Sequence, residues 1–254
     1  MRIYSRASTA TLVDRSSFAR MSWMSLHRTN TRVQTGCIAL DRLLDGGLGL
    51  GEVTLVYGEA ATGKTNLALQ ASAHTARNGG KVIYIDSDQS FSHQRFGQIA
   101  PEIDEQSHNI VIFSPDFFSD QTKIIDNLEK YVVVNTCLVV VDSVTTLYRA
   151  TLATTEERFA LNRELNRQLA YLTSLANTHS IAVLVTSQVH ARINTQIGGI
   201  EPVARRTLFH WPQTIIRIES TAKRNVKRIV VERSHSKNVS NITCYLTLTE
   251  RGFE

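Results

Sequence analysis

The 254-residue chain contains only three cysteines, Cys37, Cys137 and Cys244. They are odd in number, far apart and without metal-ligand spacing, so they read as buried thiols in a reducing compartment. Long apolar runs are also missing. None approaches the roughly 20 residues needed to cross a bilayer, which excludes an integral membrane protein. Acids are nearly absent from the start: residues 1–35 hold Arg2, Arg6, Arg15, Arg20, Arg28 and Arg32 against Asp14 alone. The rest of the chain is neutral but polarised, with a net −5 over residues 36–200 and +5 over 201–254. A basic final third is where an anionic polymer could bind, or it is a solvated face. The Ser- and Arg-rich stretch 1–32 has three competing readings. It is a disordered tail or an over-long gene start preceding Met21 or Met24, a transit-peptide-like leader, or a basic arm that touches nucleic acid.

What is present is organised around Gly58-Glu59-Ala60-Ala61-Thr62-Gly63-Lys64-Thr65-Asn66, which follows the apolar run Val53-Thr54-Leu55-Val56-Tyr57. This is the spacing of a phosphate-binding loop. Two glycines permit a tight turn whose N–H groups point at a phosphate, at the positive end of a helix starting near Lys64. Lys64 then reaches the β- and γ-phosphates, and the Thr65 hydroxyl is placed to ligate Mg²⁺.

Around this loop, strands are expected at 53–57, 81–86, 110–113, 138–142 and 181–186, with helices at about 64–77, 91–100, 118–131 and 156–178. Runs that are apolar throughout, such as Leu138-Val139-Val140-Val141, belong to a parallel sheet covered on both faces. Thr154 and Glu157 have capping-box spacing for the long helix, and Phe159, Leu165, Leu169, Leu172 and Ala176 form its core-facing stripe. A short helix with Leu40, Leu43 and Leu44 on one face ends at Gly46-Gly47. Strands at 214–219, 228–232 and 242–247 follow without helices between them, as an antiparallel extension would. One domain, residues 33–254, accounts for everything after the tail.

In such a sheet, ligands bind beyond the carboxyl ends of the strands. Asp142, closing one strand, is the expected partner of Mg²⁺ through water. Asp88 either deprotonates the attacking water or caps the following helix. Gln188 hydrogen-bonds a γ-phosphate and reports its presence to the next loop, or it bonds neighbouring backbone. Arg205, Arg206, Arg217, Lys223, Arg224, Lys227, Arg228, Arg233 and Lys237 make up most of the basic end. If several line one groove they supply phosphate contacts. Arg233, His235 and Lys237 would share one side of a strand, where they could reach a neighbouring subunit's nucleotide.

Together these segments resemble the RecA-type recombinase core. Thr35-Gly36 with Leu40-Asp41-Arg42-Leu43-Leu44-Asp45-Gly46-Gly47 is similar to the family's leading helix, and residues 58–65 to its Walker A loop. Tyr84-Ile85-Asp86-Ser87-Asp88 is similar to the strand ending in the catalytic acid. Asp142-Ser143-Val144-Thr145-Thr146-Leu147-Tyr148-Arg149 resembles the Walker B strand and the start of the first DNA loop, and Thr186-Ser187-Gln188-Val189 the sensor strand. Within the family, Pro202-Val203-Ala204-Arg205-Arg206-Thr207-Leu208, Val231-Glu232-Arg233-Ser234-His235 and Thr247 with Glu250-Arg251-Gly252 look like the archaeal RadB paralogues, which also fits the lack of a helix-hairpin-helix domain before the core. The nucleotide motifs are shared with KaiC-like ATPases.

The resemblance implies an α/β, RecA-like P-loop ATPase core, with a mixed, mainly parallel sheet between helices and an antiparallel C-terminal extension. It implies ATP and Mg²⁺ held by residues 58–66, by Arg95 stacked on adenine, and by Thr65 with Asp142. Lys64, Asp88 and Gln188 would be catalytic. Arg149, Arg205, Arg206, Lys223 and Arg224 would meet DNA, single-stranded in the first instance, and Arg233 and Lys237 a neighbouring subunit. The implied role is that of a cytoplasmic accessory of homologous recombination and repair, assisting a main recombinase of the RadA type and able to form a homo-oligomer. The alternatives are a KaiC-like signalling ATPase without DNA, or a nucleotide-binding module without useful hydrolysis.

One departure yields a prediction. The family usually has Glu-Gly where this chain has Asp88-Gln89, which sets the carboxylate one methylene back. An error of about 1 Å can cost roughly a hundredfold in rate. A steady-state phosphate-release assay is therefore expected to give an ATPase turnover below about 1 s⁻¹, the low end for enzymes; a faster turnover contradicts this reading.

Overall fold

Continuous apolar runs of four to six residues, separated by amphipathic segments, dictate strands buried on both faces and joined by crossover helices. The computed structural model describes residues 31–101, 109–151, 155–191, 200–202, 204–235 and 241–254, and Arg32–Glu254 form one compact unit. The chain runs through β1 (Arg32–Val33), α1 (Ile38–Leu43), β2 (Leu48–Gly49), β3 (Val53–Gly58), α2 (Lys64–Arg77), β4 (Lys81–Asp86), α3 (His93–Ile99) and β5 (Ile110–Phe113). It continues with α4 (Phe118–Asp126), a 3₁₀ turn at Leu128–Tyr131, β6 (Thr136–Asp142), α5 (Thr146–Thr151), α6 (Thr155–His179), β7 (Ala182–Ala191) and β8 (Ile200–Pro202). Last come α7 (Arg205–His210), β9 (Thr214–Ser220), β10 (Val226–Arg233), β11 (Ile242–Thr249) and β12 (Gly252–Phe253).

The main sheet has the order β12-β11-β10-β9-β3-β7-β6-β4-β5, with β8 paired to β7. From β9 to β5 every neighbouring pair is parallel, and from β9 to β12 every pair is antiparallel. Strand alternation divides the core into two layers. Val56, Val82, Tyr84, Leu138, Val140 and Leu184 pack with α2 and α1 on one face. Leu55, Tyr57, Ile83, Ile85, Val139, Val141 and Val185 pack with α4 and α6 on the other. On the first face Asp41 is buried, and its Oδ1 accepts from the Thr35 N–H at 2.8 Å and the Thr35 hydroxyl at 2.7 Å.

The mixed, mainly parallel sheet with an antiparallel C-terminal end is as expected from the sequence. Several details differ. The strand at 214–220 belongs to the parallel set as well as starting the antiparallel one, because it lies beside β3. The expected helix 118–131 breaks after Asp126 into a 3₁₀ turn. Two helices of six residues, α5 and α7, are too short to show an apolar period. β10 stops at Arg233, so the strand that would align Arg233 with His235 is not formed, and Lys237 lies outside the described residues. Thr154 and residues 1–30 lie outside them too. Of the cysteines, Cys37 is buried whereas Cys137 and Cys244 are half-buried.

The α6 stripe is also shorter than expected. Leu165, Leu169, Leu172 and Ala176 are fully buried, but Phe159 is 76% exposed. Helical periodicity continues toward the N-terminal end of α6, where the described residues leave Phe159 uncovered. Leu169→Ala is accordingly expected to cost about 3 kcal/mol by leaving a cavity. Phe159→Ala should change stability by less than about 0.5 kcal/mol. Urea titration of both variants checks the contrast, and equal losses would contradict it.

Candidate active site

Register brings the polar strand ends together. Gly58 lies opposite Gln188 on one side and Ile218 on the other, and Asp86 lies opposite Asp142. A Cβ on Gly58 would stand 2.2 Å from the Ile218 carbonyl oxygen, so this crossing admits only glycine. The loop then turns through Gly63, whose φ of +105° puts it in the left-handed region at the N-cap of α2. A Cβ there would meet the Phe253 ring at 2.6 Å.

Within the loop, Glu59, Ala60 and Ala61 are exposed, whereas Thr62, Gly63 and Lys64 are buried and Thr65 and Asn66 are half-buried. The Thr62 hydroxyl donates to the Glu59 carbonyl at 2.9 Å. Lys64 curls back so that Nζ donates to the carbonyls of Gly58 at 3.0 Å and Glu59 at 2.7 Å. Burial lowers the pKa of its ammonium, opposed by the carboxylates of Asp142, Asp88 and Glu59. A buried ammonium hydrogen-bonded to two backbone carbonyls, beside a helix N-terminus, suits a phosphate group. The residues present therefore fit Mg²⁺-ATP.

Asp142 is nearly inaccessible. Its Oδ2 accepts from the Tyr84 hydroxyl at 2.9 Å and its Oδ1 from the Thr186 hydroxyl, and the Thr65 hydroxyl lies near enough to favour its charge. Burial raises its pKa, and the three hydroxyls oppose that shift. Thr65 and Asp142, the two expected cation ligands, thus lie on the same side of the phosphate loop, close enough for the hydroxyl to act on the carboxylate. Among the described residues no cluster of three or more His, Cys, Asp or Glu could hold a metal on its own.

Asp88 does not cap the next helix. Ser92 does so, its hydroxyl accepting from the Arg95 N–H at 3.1 Å, while Asp86 closes the turn by accepting from the N–H groups of Ser90 and Phe91, both at 2.9 Å. Asp88 instead meets the Ser143 hydroxyl at 3.3 Å and the Gln188 amide at 3.5 Å. Gln188 does not turn its side chain to neighbouring backbone either, since its Oε1 accepts from Arg149 Nη1 at 2.9 Å. Lys64, Asp88 and Gln188 are therefore brought to one place. Arg149, expected on DNA, joins them.

Arg95 is pinned at four points. It donates to Asn66 Oδ1 at 2.6 Å, Gln98 Oε1 at 3.0 Å, and the carbonyls of Glu250 and Thr249, both at 2.8 Å. The planar guanidinium is thus fixed beside the loop by the chain's own C-terminal hairpin.

The expected basic groove is much reduced. Arg217 pairs with Glu219 and, at 2.9 Å, with Glu232; Arg228 pairs with Glu219 at 3.1 Å; and the Tyr57 hydroxyl donates to Glu232 at 2.8 Å. Lys227 is buried against Ser220. Arg233 donates to the carbonyls of Phe209 at 2.6 Å and Pro212 at 2.7 Å, bracing the segment behind α7. Arg205 lies over the Phe209 ring at 5.0 Å. Arg205, Arg206, Lys223 and Arg224 are exposed. Lys223 and Arg224 sit in the turn after β9, at the same end of the sheet as the phosphate loop.

The sequence reading missed the clamp on this loop. Gln70 donates to the carbonyls of Gly36 at 3.0 Å and Phe253 at 3.1 Å, and accepts from the Phe253 N–H at 2.8 Å. A glutamine inside a helix carries no local signal for such a role. Gln70→Ala leaves buried backbone groups unpaired, for which a loss of about 2 kcal/mol is expected. It should also speed hydrogen exchange at the Phe253 amide. Unchanged protection there would contradict the clamp.

Comparison with known proteins covers nearly all of this architecture. The Rad51 family profile matches residues 27–254. A DNA repair and recombination protein RadB from Thermococcus kodakarensis is 39% identical over 228 residues, which is 87% of this chain and 98% of that one. Its counterpart from Methanococcoides burtonii is 34% identical over 219 residues, 86% and 95% of the two chains. A crystal structure of the RadB recombinase superposes with a TM-score of 0.75 at 38% identity, covering 87% of this chain and 98% of that one.

Proposed function

The chain belongs to the Rad51 family, and from that premise we propose that it is a RadB-like, Mg²⁺- and ATP-binding accessory of homologous recombination and DNA repair that binds DNA and assists a main recombinase of the RadA type. The observation that carries the nucleotide half is the buried Lys64 folded onto the Gly58 and Glu59 carbonyls, with the buried Asp142 and the Thr65 hydroxyl close by. The recombination half rests on similarity to RadB-named relatives over most of both chains, which favours it over a signalling ATPase without DNA.

Bound Mg²⁺-ATP supplies the phosphoanhydride to be cleaved. Lys64 and the N–H groups of residues 58–65 would hold its phosphates, Thr65 and Asp142 its cation, and Arg95 with Asn66 the base end. Asp88 would accept a proton beside Gln188, and Gln188, paired with Gly58 across the sheet, would sense a γ-phosphate and report it to the following loop. The short side chain of Asp88 favours slow hydrolysis, so the nucleotide acts chiefly as a switch. Arg206, Lys223 and Arg224 supply exposed charge for the DNA backbone.

Fluorescence anisotropy of labelled single-stranded DNA, titrated with the full chain in Mg²⁺-ATP across a salt series, tests the reading. Submicromolar affinity is expected, with log affinity falling against log salt at about −0.7 per phosphate contacted. Lys64→Ala should abolish ATP binding and make DNA affinity indifferent to ATP. No DNA binding at low salt would remove the recombination half and leave the nucleotide half standing.

A further inference from the structure

Gln188 ends in an amide with two unlike faces, and the structure places a different charge against each. A guanidinium only donates and an ionised carboxylate only accepts, so the amide oxygen must face the first and the amide nitrogen the second. Arg149 Nη1 donates to Gln188 Oε1 at 2.9 Å, and Gln188 Nε2 donates to Asp88 Oδ2 at 3.5 Å. The two flanking charges therefore settle which way round the Gln188 amide sits.

Both charges are reached from α5. Thr146, its first residue, shares a 2.7 Å hydrogen bond with the Ser143 hydroxyl, which donates to the other oxygen of Asp88 at 3.3 Å. Thr145, just before the helix, bonds Ser187 at 3.1 Å in the buried interior. One turn further on, Arg149 takes the amide. This short helix thus holds the carboxylate and the amide together. The two contacts differ in strength: the Arg149 bond is of ordinary length, whereas the Asp88 bond is at the long limit and is easily exchanged.

Arg149 is half-exposed, and its partner here is a neutral amide. A phosphate oxygen is a stronger acceptor for guanidinium than an amide oxygen, because the bond is charge-assisted at both ends. Resting on the reading above, we propose that Arg149 is a positioning residue shared between Gln188 and a DNA backbone phosphate, so that one guanidinium links DNA occupancy to the orientation of the amide at the nucleotide site. A DNA phosphate that draws Arg149 away frees Gln188 to turn. By linkage, a nucleotide that draws Gln188 away frees Arg149 for DNA. The polymer and the triphosphate thus favour each other's binding.

The test measures the affinity of the full chain for fluorescein-labelled oligo(dT) in Mg²⁺-ATPγS and in Mg²⁺-ADP, for the wild type and for Arg149→Met, Arg149→Lys, Gln188→Ala and the double variant Arg149→Met/Gln188→Ala. Wild type is expected to bind about tenfold more tightly in Mg²⁺-ATPγS, within the usual range of coupling between two sites. Arg149→Met and Gln188→Ala should each bring that ratio within twofold of one, and the double variant should bring it no lower. Arg149→Lys, which keeps a donor for the amide oxygen, should restore part of it. An Arg149→Met variant that binds DNA more weakly by the same factor in both nucleotides, with the tenfold ratio intact, would overturn the inference and make Arg149 a plain phosphate contact. A wild-type ratio near one, with both ligands bound, would overturn it too. A wild type that fails to bind a fluorescent ATP analogue or the oligonucleotide would instead overturn the reading on which it rests.

Discussion

A carboxylate removed from water has to be held by donors, and Asp142 is held by hydroxyls from the two strands that flank its own: Tyr84 on β4 and Thr186 on β7. Burial disfavours its charge, and these hydroxyls, with that of Thr65 in the first turn of α2, offset part of the desolvation cost. The geometry the two bonds require aligns the strands on either side of β6. The strands that make a buried charge tolerable therefore also set the carboxylate near the Thr65 hydroxyl, at the end of the sheet where the phosphate loop begins.

The rest of the sheet protects that arrangement. β3, β4, β6 and β7 bury alternate side chains in two separate layers, so no single helix covers the site alone. Beyond β9 the sheet turns antiparallel, and its last strand returns to the beginning of the parallel half: Phe253 packs against Gly63 and is hydrogen-bonded by Gln70, while the carbonyls of Thr249 and Glu250 fix Arg95. The C-terminal extension is thus part of the wall of the nucleotide site as well as an edge of the sheet.

Much of this was legible because the decisive signals are local. Helix 64–77 and strands 81–86 and 110–113 have the bounds that their apolar runs announce, and the spacing from Gly58 to Thr65 carries its own chemistry. What was not legible depends on partners distant in the chain. Arg217 and Arg228 read as part of a basic surface because strand pairing, which brings Glu219 and Glu232 to them, is not written in neighbouring residues. Arg233, likewise, is a brace on Phe209 and Pro212. Arg149 was assigned to DNA by resemblance alone, and its bond to Gln188 spans 39 positions. Phe159 shows the opposite failure: a periodic pattern that outruns the surface it would pack on.

The clamp between Gln70 and Phe253 joins residues 183 positions apart, and this has a consequence for biosynthesis. A ribosome adding about 5–20 residues per second needs roughly 10–40 s to travel that distance. Throughout that interval the phosphate loop has been made, but the wall that Phe253 forms against Gly63 has not. A nascent chain can begin its sheet early, yet it gains a finished nucleotide site only when the final hairpin clears the exit tunnel. Ligand-competent protein is thereby restricted to chains translated past Phe253.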